Sequence, residues 1–257
     1  MLIIVPPSET KRPPAATGAP VDLERLSFPA LTATRRRVAE ALVRTSGSLD
    51  AFQRLQVRQS MAPAVAANTH LFEIPAVPVL DLYTGPVHEG LDAAGLSPAA
   101  AARAAERVVV NSALWGLLRP TDRVPSYRLQ VCAHLIGAED LEPIWREVLP
   151  DVLAGAAGSD GLIVDIRSPV YQATGMPPRS LGDRTVWVRV DMGPPGHRIG
   201  EVTAKRMRGA AAHALLESGA EPVHPAEVAE LLGTRWGVRL EPPVRAGKPW
   251  TLSLSSD

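Results

Sequence analysis

The segment MLIIVPPSETK, residues 1–11, determines how the fold begins. Leu2–Val5 is a short, largely β-branched apolar run, which predicts a buried strand, and the prolines that follow it force a rigid loop. In open α/β sheets, ligands bind beside the loops that leave the carboxyl ends of strands. Ser8 and Lys11 lie in such a loop, and their hydroxyl and ammonium groups suit contact with a phosphate. The alternative interpretation is a proline-rich surface turn.

The rest of the chain alternates between short apolar runs and amphipathic segments. Further strands are predicted at Val77–Tyr83, Val108–Val110, Leu162–Ile166, Val186–Val190 and Ile199–Val202. Helices are predicted at Thr32–Thr45, from the N-cap Ser97 to Arg107, and at Leu141–Leu153, Ala204–Ser218 and Pro225–Leu232. The sequence contains neither an internal repeat nor a low-complexity linker long enough to separate domains. The pattern therefore predicts a single compact domain over residues 1–257, α+β in class (mixed α/β), with a mixed sheet.

The charges of the chain balance, with 27 Lys and Arg residues against 27 Asp and Glu residues. No overall field attracts nucleic acid or a membrane, so an anionic partner must be held by a local patch. No apolar run approaches the ~20 residues that cross a bilayer, and the N-terminal segment lacks the pattern of a secretory signal. We therefore expect a cytoplasmic protein without membrane contact.

Cysteine and histidine usage argues against a metal site. The single cysteine, Cys132, excludes an internal disulfide, and we expect no disulfide-linked partner. Its apolar neighbours favour a buried and inert thiol. The six histidines include no pair at ligand spacing on one helix. Phosphate-loop and dinucleotide-binding glycine motifs are also absent from the sequence, so we expect neither a metal nor a cofactor.

A first basic cluster surrounds Tyr127 in a proline-rich segment. Arg119, Arg123 and Arg128 carry planar guanidinium groups that suit two-pronged contact with phosphate, and Tyr127 is available to stack or to form a hydrogen bond. Arginines in such corners also bond to backbone carbonyl groups, and this alternative remains open.

A second basic cluster begins the helix predicted after residue 203. Lys205 and Arg208 share one helix face, whereas Arg206 points elsewhere. Two cations at the start of a helix oppose the positive end of its dipole, and a bound anion would relieve that conflict. Arg167 follows another predicted strand and adds a cation at the same kind of position.

These segments, taken together and in order, resemble the YaaA family of bacterial peroxide-stress proteins. The resemblance runs roughly from Met1 to Trp236. Its parts are residues 1–11, Leu82–Gly85, Leu114–Pro120 with Asp122, Pro125–Leu129, Trp145, Ser168 with Tyr171, and Lys205–Gly209.

The resemblance implies a mixed α/β fold with a basic cleft that binds double-stranded DNA. It also implies a role in limiting free intracellular iron under peroxide stress. A helix-hairpin-helix element belongs to the family, and it would correspond here to the helix Ser97–Arg107 and the corner Ser112–Leu118, where Ala113 replaces the first turn glycine. The anion-binding candidates are Ser8, Lys11, Arg119, Arg123, Arg128, Arg167, Lys205, Arg206 and Arg208.

The main alternative is an enzyme that acts on a small phosphate-bearing metabolite or nucleotide in the same cleft. Hydroxyl groups mixed with lysines favour it, and the candidate catalytic residues are Lys11, Tyr83, Ser112, Tyr127 and Lys205. A structural or interaction module is the third possibility. In either ligand-binding case we expect one concave surface to collect five cations, namely Lys11, Arg119, Arg128, Lys205 and Arg208.

Overall fold

The computed structural model describes residues 1–138, 140–193 and 198–255, and its strands form one large sheet and one short ribbon. The strands are β1 (Leu2–Val5), β2 (Val77–Pro78), β3 (Val108–Ser112), β4 (Gly116–Leu118), β5 (Arg123–Val124), β6 (Ile163–Asp165), β7 (Thr185–Val190), β8 (Gly237–Glu241) and β9 (Trp250–Ser255). In the described residues the large sheet has seven strands in the order β4-β3-β1-β6-β7-β9-β8, and β2 pairs with β5 in the ribbon. The five inner strands are parallel, and the antiparallel strands β4 and β8 form the two edges.

Helices connect these strands. They are α1 (Thr32–Ser46), α2 (Ala51–Arg54), α3 (Ala62–Asn68), α4 (Val79–Leu82), α5 (Pro86–Leu91), α6 (Pro98–Arg107), α7 (Leu141–Ala157), α8 (Pro169–Ala173), α9 (Glu201–Ser218) and α10 (Pro225–Leu232). Short 3-10 turns lie at Leu23–Arg25, Pro29–Leu31, Gln59–Met61, Ala93–Gly95 and Arg179–Arg184. None of the helices in the described part of the chain is both long and apolar enough to span a membrane.

The inner strands are apolar because both faces of the sheet are covered. Every residue of β1, β3 and β6 is buried, which explains why these strands read as continuous apolar runs in the sequence. The predicted single compact domain with a mixed sheet is confirmed.

The chain reverses direction across the sheet at β1. From β1 it reaches β3 on one side, and after the edge strand β4 it returns to β6 on the other side of β1. Loops that leave neighbouring strands in opposite directions open a crevice at their carboxyl ends, and such switch points are where open α/β sheets bind ligands. Here the crevice lies between the loop after Val5 and the loop after Asp165.

The strand predicted at Val77–Tyr83 is wrong for most of its length. Only Val77 and Pro78 are extended, and helix α4 follows directly. Val79, Leu82 and Tyr83 are buried, a spacing that fits a helical turn better than the alternation of a strand.

The strand predicted at Ile199–Val202 is also wrong. Helix α9 begins at Glu201 with Gly200 as its N-cap, and Val202 is exposed on its first turn. Ile199 keeps one backbone hydrogen bond to Met192, at 3.0 Å, which is not enough for a strand.

The segment assigned to a helix-hairpin-helix is a helix followed by a β-hairpin. Helix α6 runs into β3, and the corner after Ser112 leads into the antiparallel strand β4. Gly116 adopts a left-handed φ of 66° at this corner, where an added Cβ would lie 2.6 Å from the Trp145 ring. The glycine therefore permits a tight, buried turn against an aromatic side chain.

Candidate ligand-binding cleft

Two adjoining grooves lie beside the loop that leaves the carboxyl end of β1, and the first of them also meets the loop after β6. The first, the switch-point cleft, has a volume of about 450 Å³. It is lined by Pro6–Thr10, Gly85–His88, Ser168, Val170, Tyr171, Lys205 and Arg208. The second, the Lys11 groove, has a volume of about 620 Å³. It is lined by Glu9–Lys11, Gln56–Arg58, Ser60, Met61, Ala64, Ser126–Arg128 and Gln130. The loop after β1 contributes Glu9 and Thr10 to both grooves, so it separates one from the other.

The backbone of Lys11 is held between two segments of the fold. Lys11 forms an isolated antiparallel bridge with Tyr83, and the N–H of Arg12 donates to the carbonyl of Leu82 at 2.9 Å. The position of the lysine is thus set by backbone hydrogen bonds that are independent of its side chain.

The amine of Lys11 packs against aromatic rings. Its Nζ donates to the carbonyl of Ser8 at 2.8 Å and lies 4.2 Å from the centre of the Tyr127 ring and 5.5 Å from that of Tyr83. Burial, together with the charge of Arg128, lowers the pKa of Lys11 to about 7, and Glu9 opposes both effects. A large fraction of the amine is therefore uncharged at neutral pH.

A chain of buried hydroxyl groups lies next to this amine. Ser112 Oγ accepts hydrogen bonds from the backbone N–H groups of Leu114 and Trp115, each at 3.1 Å. With both lone pairs occupied, Ser112 donates its own proton to the Tyr127 hydroxyl at 2.7 Å. That hydroxyl lies 2.9 Å from the hydroxyl of Tyr83. Burial raises the pKa of Tyr127 to about 12 and that of Tyr83 well above its usual value, so both phenols stay protonated at neutral pH.

Tyrosine is concentrated at this place in the fold. The chain has three tyrosines. Tyr127 lines the Lys11 groove, Tyr83 is hydrogen-bonded to it, and Tyr171 lines the switch-point cleft. Burial raises the pKa of Tyr171, and the neighbouring Tyr127 raises it further. Tyr127 and Tyr171, which line the two grooves and remain protonated, provide neutral hydrogen-bonding groups alongside the cations.

His88 lines the switch-point cleft and was not among the sequence candidates. Its Nε2 lies 3.0 Å from the carbonyl of Pro6, and burial lowers the pKa of the ring to about 4. The ring is therefore neutral at pH 7, and it carries its proton on Nε2 because a carbonyl only accepts. Nδ1 is buried without a hydrogen-bond partner in the described residues, so its acceptor lone pair is unused there. No local motif marks this histidine, because its partner lies 82 residues away in the sequence.

Arg128 lines the Lys11 groove. Its Nη2 donates to the carboxylate of Glu9 at 3.2 Å, while Nε is buried without a partner in the part of the chain described. Asn68 fixes the backbone of Arg128 by accepting from its N–H at 2.8 Å and donating to its carbonyl at 2.9 Å. The buried amide, rather than the neighbouring prolines, orients this arginine.

The basic cluster of α9 is divided between two surfaces. Lys205 and Arg208 line the switch-point cleft, and Lys205 pairs with Glu201 at 2.7 Å. Arg206 points away from both grooves and pairs with Glu89 of α5, also at 2.7 Å. As predicted, Lys205 and Arg208 share one face of α9, which lines the cleft, and Arg206 lies on another face.

Close contact between α5 and α9 holds two walls of this cleft together. A Cβ added to Gly209 would lie 1.9 Å from the carbonyl oxygen of Val87, and one added to Gly90 would lie 2.0 Å from that of Arg206. Only a residue without a side chain allows the two backbones to approach this closely.

Arg167 is enclosed beneath the switch-point cleft. Its side chain is fully buried and binds both carboxylate oxygens of Asp165, with Nε at 2.9 Å and Nη2 at 2.8 Å. Nη1 donates to Asn111 at 2.7 Å and to the carbonyl of Tyr171 at 3.2 Å. All three nitrogens of the guanidinium are occupied, so Arg167 joins the ends of β6 and β3 to the first turn of α8.

The expected convergence of five cations is wrong for Arg119. Because β4 runs antiparallel to β3, it carries Arg119 to the amino-terminal end of β3, away from the grooves, where Nη1 donates to the carbonyl of Val108 at 3.4 Å. Its guanidinium also lies 5.3 Å from the Phe28 ring. Arg123 lines a separate groove and donates to the carbonyl of Ala76 at 2.8 Å. Both residues follow the alternative interpretation, in which arginines bond to backbone carbonyl groups.

The expectation of a buried Cys132 is wrong. The residue lies in an exposed turn, whereas the next residue, Ala133, is buried. In residues 1–138, 140–193 and 198–255, no three His, Cys, Asp or Glu side chains form a group that would hold a metal ion.

Comparison with known proteins gives similarities over almost the whole chain. The family model for peroxide stress protein YaaA matches residues 1–236, which include every residue that lines the two grooves. A UPF0246 protein of Streptomyces coelicolor is 38% identical over 257 residues, covering 99% of this chain and 98% of that protein. A UPF0246 protein of Corynebacterium efficiens is 36% identical over 261 residues, covering 99% of each. Another, from Salinispora tropica, is 29% identical over 255 residues, covering 94% of this chain and 89% of the relative.

Proposed function

This chain belongs to the peroxide stress protein YaaA family, and we propose that it binds double-stranded DNA along the two adjoining grooves. The observation that supports this proposal is the charge of the groove walls. Five cationic side chains line the two grooves against one carboxylate, that of Glu9. The cations are Lys11, Arg58, Arg128, Lys205 and Arg208. In a chain with no net charge, this local excess is the feature that suits a polyanion.

Salt dependence tests the proposal. When binding depends on phosphate contacts, the logarithm of the DNA affinity falls linearly with the logarithm of the salt concentration. Each phosphate neutralised contributes about −0.9 to the slope. If all five side chains make such contacts, with Lys11 in its ammonium form, the slope should be about −4.5. Fluorescence anisotropy of a short labelled duplex measures this slope, and Arg58→Ala should reduce its size by about one. Arg36→Ala is the matched control, since Arg36 lies on α1 outside both grooves. Binding that is insensitive to salt, or equally affected by both variants, would contradict the proposal.

Arg128→Lys should weaken anion binding although it keeps the charge. An ammonium group cannot reproduce a two-pronged contact, so we expect a loss of about 1–3 kcal/mol in duplex binding. Glu9→Gln should have the opposite effect, because it removes the carboxylate that now occupies the Arg128 guanidinium. Anisotropy titrations measure both effects, with Arg36→Lys as the matched control and melting curves to confirm folding. Equal affinity of Arg128→Lys and the wild type would make Arg128 a structural residue.

We also propose that the protein helps to limit damage by free intracellular iron, and that it does so indirectly, through DNA protection or metabolism. A protein that covers DNA limits iron-dependent damage without holding iron itself. We therefore predict that the purified protein carries neither iron nor zinc in stoichiometric amount, because the histidines and the single cysteine offer no ready ligand set. Elemental analysis by mass spectrometry measures this, and about one tightly held metal ion per chain would contradict it.

We also propose a second candidate function, an enzyme that acts on a small phosphate-bearing ligand in the same grooves. The hydroxyl chain from Ser112 to Tyr83 and the neutral His88 favour it, since phosphate contact alone requires no buried hydroxyl chain. A ligand of this kind makes fewer ionic contacts than DNA, so its affinity should fall less steeply with salt. Competition between inorganic phosphate and labelled duplex, measured over a range of salt, separates the two functions.

A further inference from the structure

Lys11 differs chemically from the other lysines of the chain. The sequence contains three, Lys11, Lys205 and Lys248. Lys205 is partly exposed and holds the carboxylate of Glu201 at 2.7 Å. Lys11 has no carboxylate within ion-pairing distance in the described residues, and its contacts are a backbone carbonyl and two aromatic ring faces. These surroundings leave the nitrogen lone pair available.

The environment of Lys11 favours the nucleophilic form of its amine. The nearest carboxylate, Glu9, bonds to Arg128, so it does not hold the ammonium as an ion pair. Burial lowers the pKa of Lys11 to about 7, whereas an exposed lysine has a pKa near 10.4. Desolvated lysines of this kind attack carbonyl carbons.

The same groove offers a place for a phosphate. Arg58 and Arg128 line it with Lys11, and within the described residues no hydrogen bond or ion pair engages the Arg58 guanidinium. Arg128 retains a buried Nε without a partner in that part of the chain. A ligand that has an anionic end and an electrophilic carbonyl would satisfy both features of the groove.

We propose that Lys11 forms an imine with a phosphate-bearing aldehyde or ketone held in the Lys11 groove, an inference that rests on the second function above. The lysine nitrogen attacks the carbonyl carbon, the C=O π bond breaks, and one amine proton moves to the oxygen, which becomes the hydroxyl of a carbinolamine. Nitrogen then loses a proton, the hydroxyl gains one, and water leaves as the C=N bond forms. One water is released, and nothing is oxidised or reduced.

Reductive trapping tests this chemistry. The full-length protein is incubated with pyridoxal phosphate, reduced with borohydride, digested, and mapped by mass spectrometry. Because far more of its amine is uncharged at pH 7, Lys11 should be labelled about tenfold or more above Lys205 and Lys248. Labelling should rise as the pH passes through about 7, where Lys11 loses its proton. Pyridoxal, which lacks the phosphate, should label Lys11 less, and inorganic phosphate should compete with the phosphorylated probe.

Variants that leave different lysines in place complete the test. Lys11→Arg should abolish the selective label, whereas Lys248→Arg should keep it. Arg58→Ala should reduce labelling by the phosphorylated probe but not by pyridoxal. Equal labelling of all three lysines, or no preference for the phosphorylated probe, would overturn the proposal. Duplex binding is measured separately, so a wild-type protein that binds the duplex but shows no selective label at Lys11 refutes the imine alone.

Discussion

Asp165→Asn is expected to lower the free energy of unfolding by about 3–5 kcal/mol, the cost of removing one partner of a fully buried ion pair. Asp165 and Arg167 are both completely enclosed, and the carboxylate accepts from Nε, Nη2 and the backbone N–H of the arginine. Asparagine preserves the volume but leaves the guanidinium charge without a counterion. Urea unfolding followed by circular dichroism measures the change.

Two further variants define the cause. Asp151→Asn removes an exposed carboxylate from α7 and should change stability by less than about 0.5 kcal/mol. Asp165→Leu combined with Arg167→Met replaces both charges by apolar groups and should recover much of the loss, because no unpaired charge remains. A loss below about 1 kcal/mol in Asp165→Asn would show that the pair contributes little.

Gly209→Ala is expected to destabilise the protein by about 1–3 kcal/mol, the usual cost of inserting a methyl group into close packing. Its Cβ would lie 1.9 Å from the Val87 carbonyl oxygen, so α5 and α9 must separate. Since α5 carries His88 and α9 carries Lys205 and Arg208, the variant should also weaken anion binding at the switch-point cleft. Thermal melting and anion titration measure the two effects.

Gly155→Ala provides the matched control. Gly155 lies within α7, and a Cβ there meets nothing within 4 Å. Alanine is the better helix former by about 1 kcal/mol, so this variant should be more stable than the wild type by up to that amount. If both glycine variants gained stability, the contact between α5 and α9 would tolerate a side chain.

The strands that form the centre of the sheet were predictable because burial on both faces produces uninterrupted apolar runs. Leu2–Val5 is the clearest example, and β3 and β6 follow the same rule, whereas β7 is interrupted by the exposed Arg189. Long helices such as α9 were predictable over most of their length for a similar reason. The segment Val77–Tyr83 was wrongly predicted to be a strand because seven residues are too few to distinguish the alternation of a strand from a single helical turn.

For the candidate site, the sequence indicated which loops contribute. Ser8, Lys11, Tyr127, Arg128, Lys205 and Arg208 belong to segments chosen for their position after a strand or at the start of a helix, and the structure places them in or beside the two grooves. The sequence did not indicate His88 or Asn68. Each acts on a residue at least 60 positions away, and neither carries a local signal.

By itself, the sequence determined the elements whose signal is local: apolar runs for strands, periodic apolar positions for helices, and cations in the loops between them. Only the tertiary structure decided which of those cations meet. In the sequence alone, an arginine that pairs with a buried aspartate, as Arg167 does, cannot be distinguished from one that lines a groove, as Arg208 does. Arg119 lies away from the site because β4, the strand before it, pairs antiparallel with β3. Strand direction depends on pairing between distant segments and cannot be read from the residues around Arg119. The lowered pKa of Lys11 likewise depends on burial by residues distant in the sequence, since desolvation is set by packing and not by neighbours along the chain.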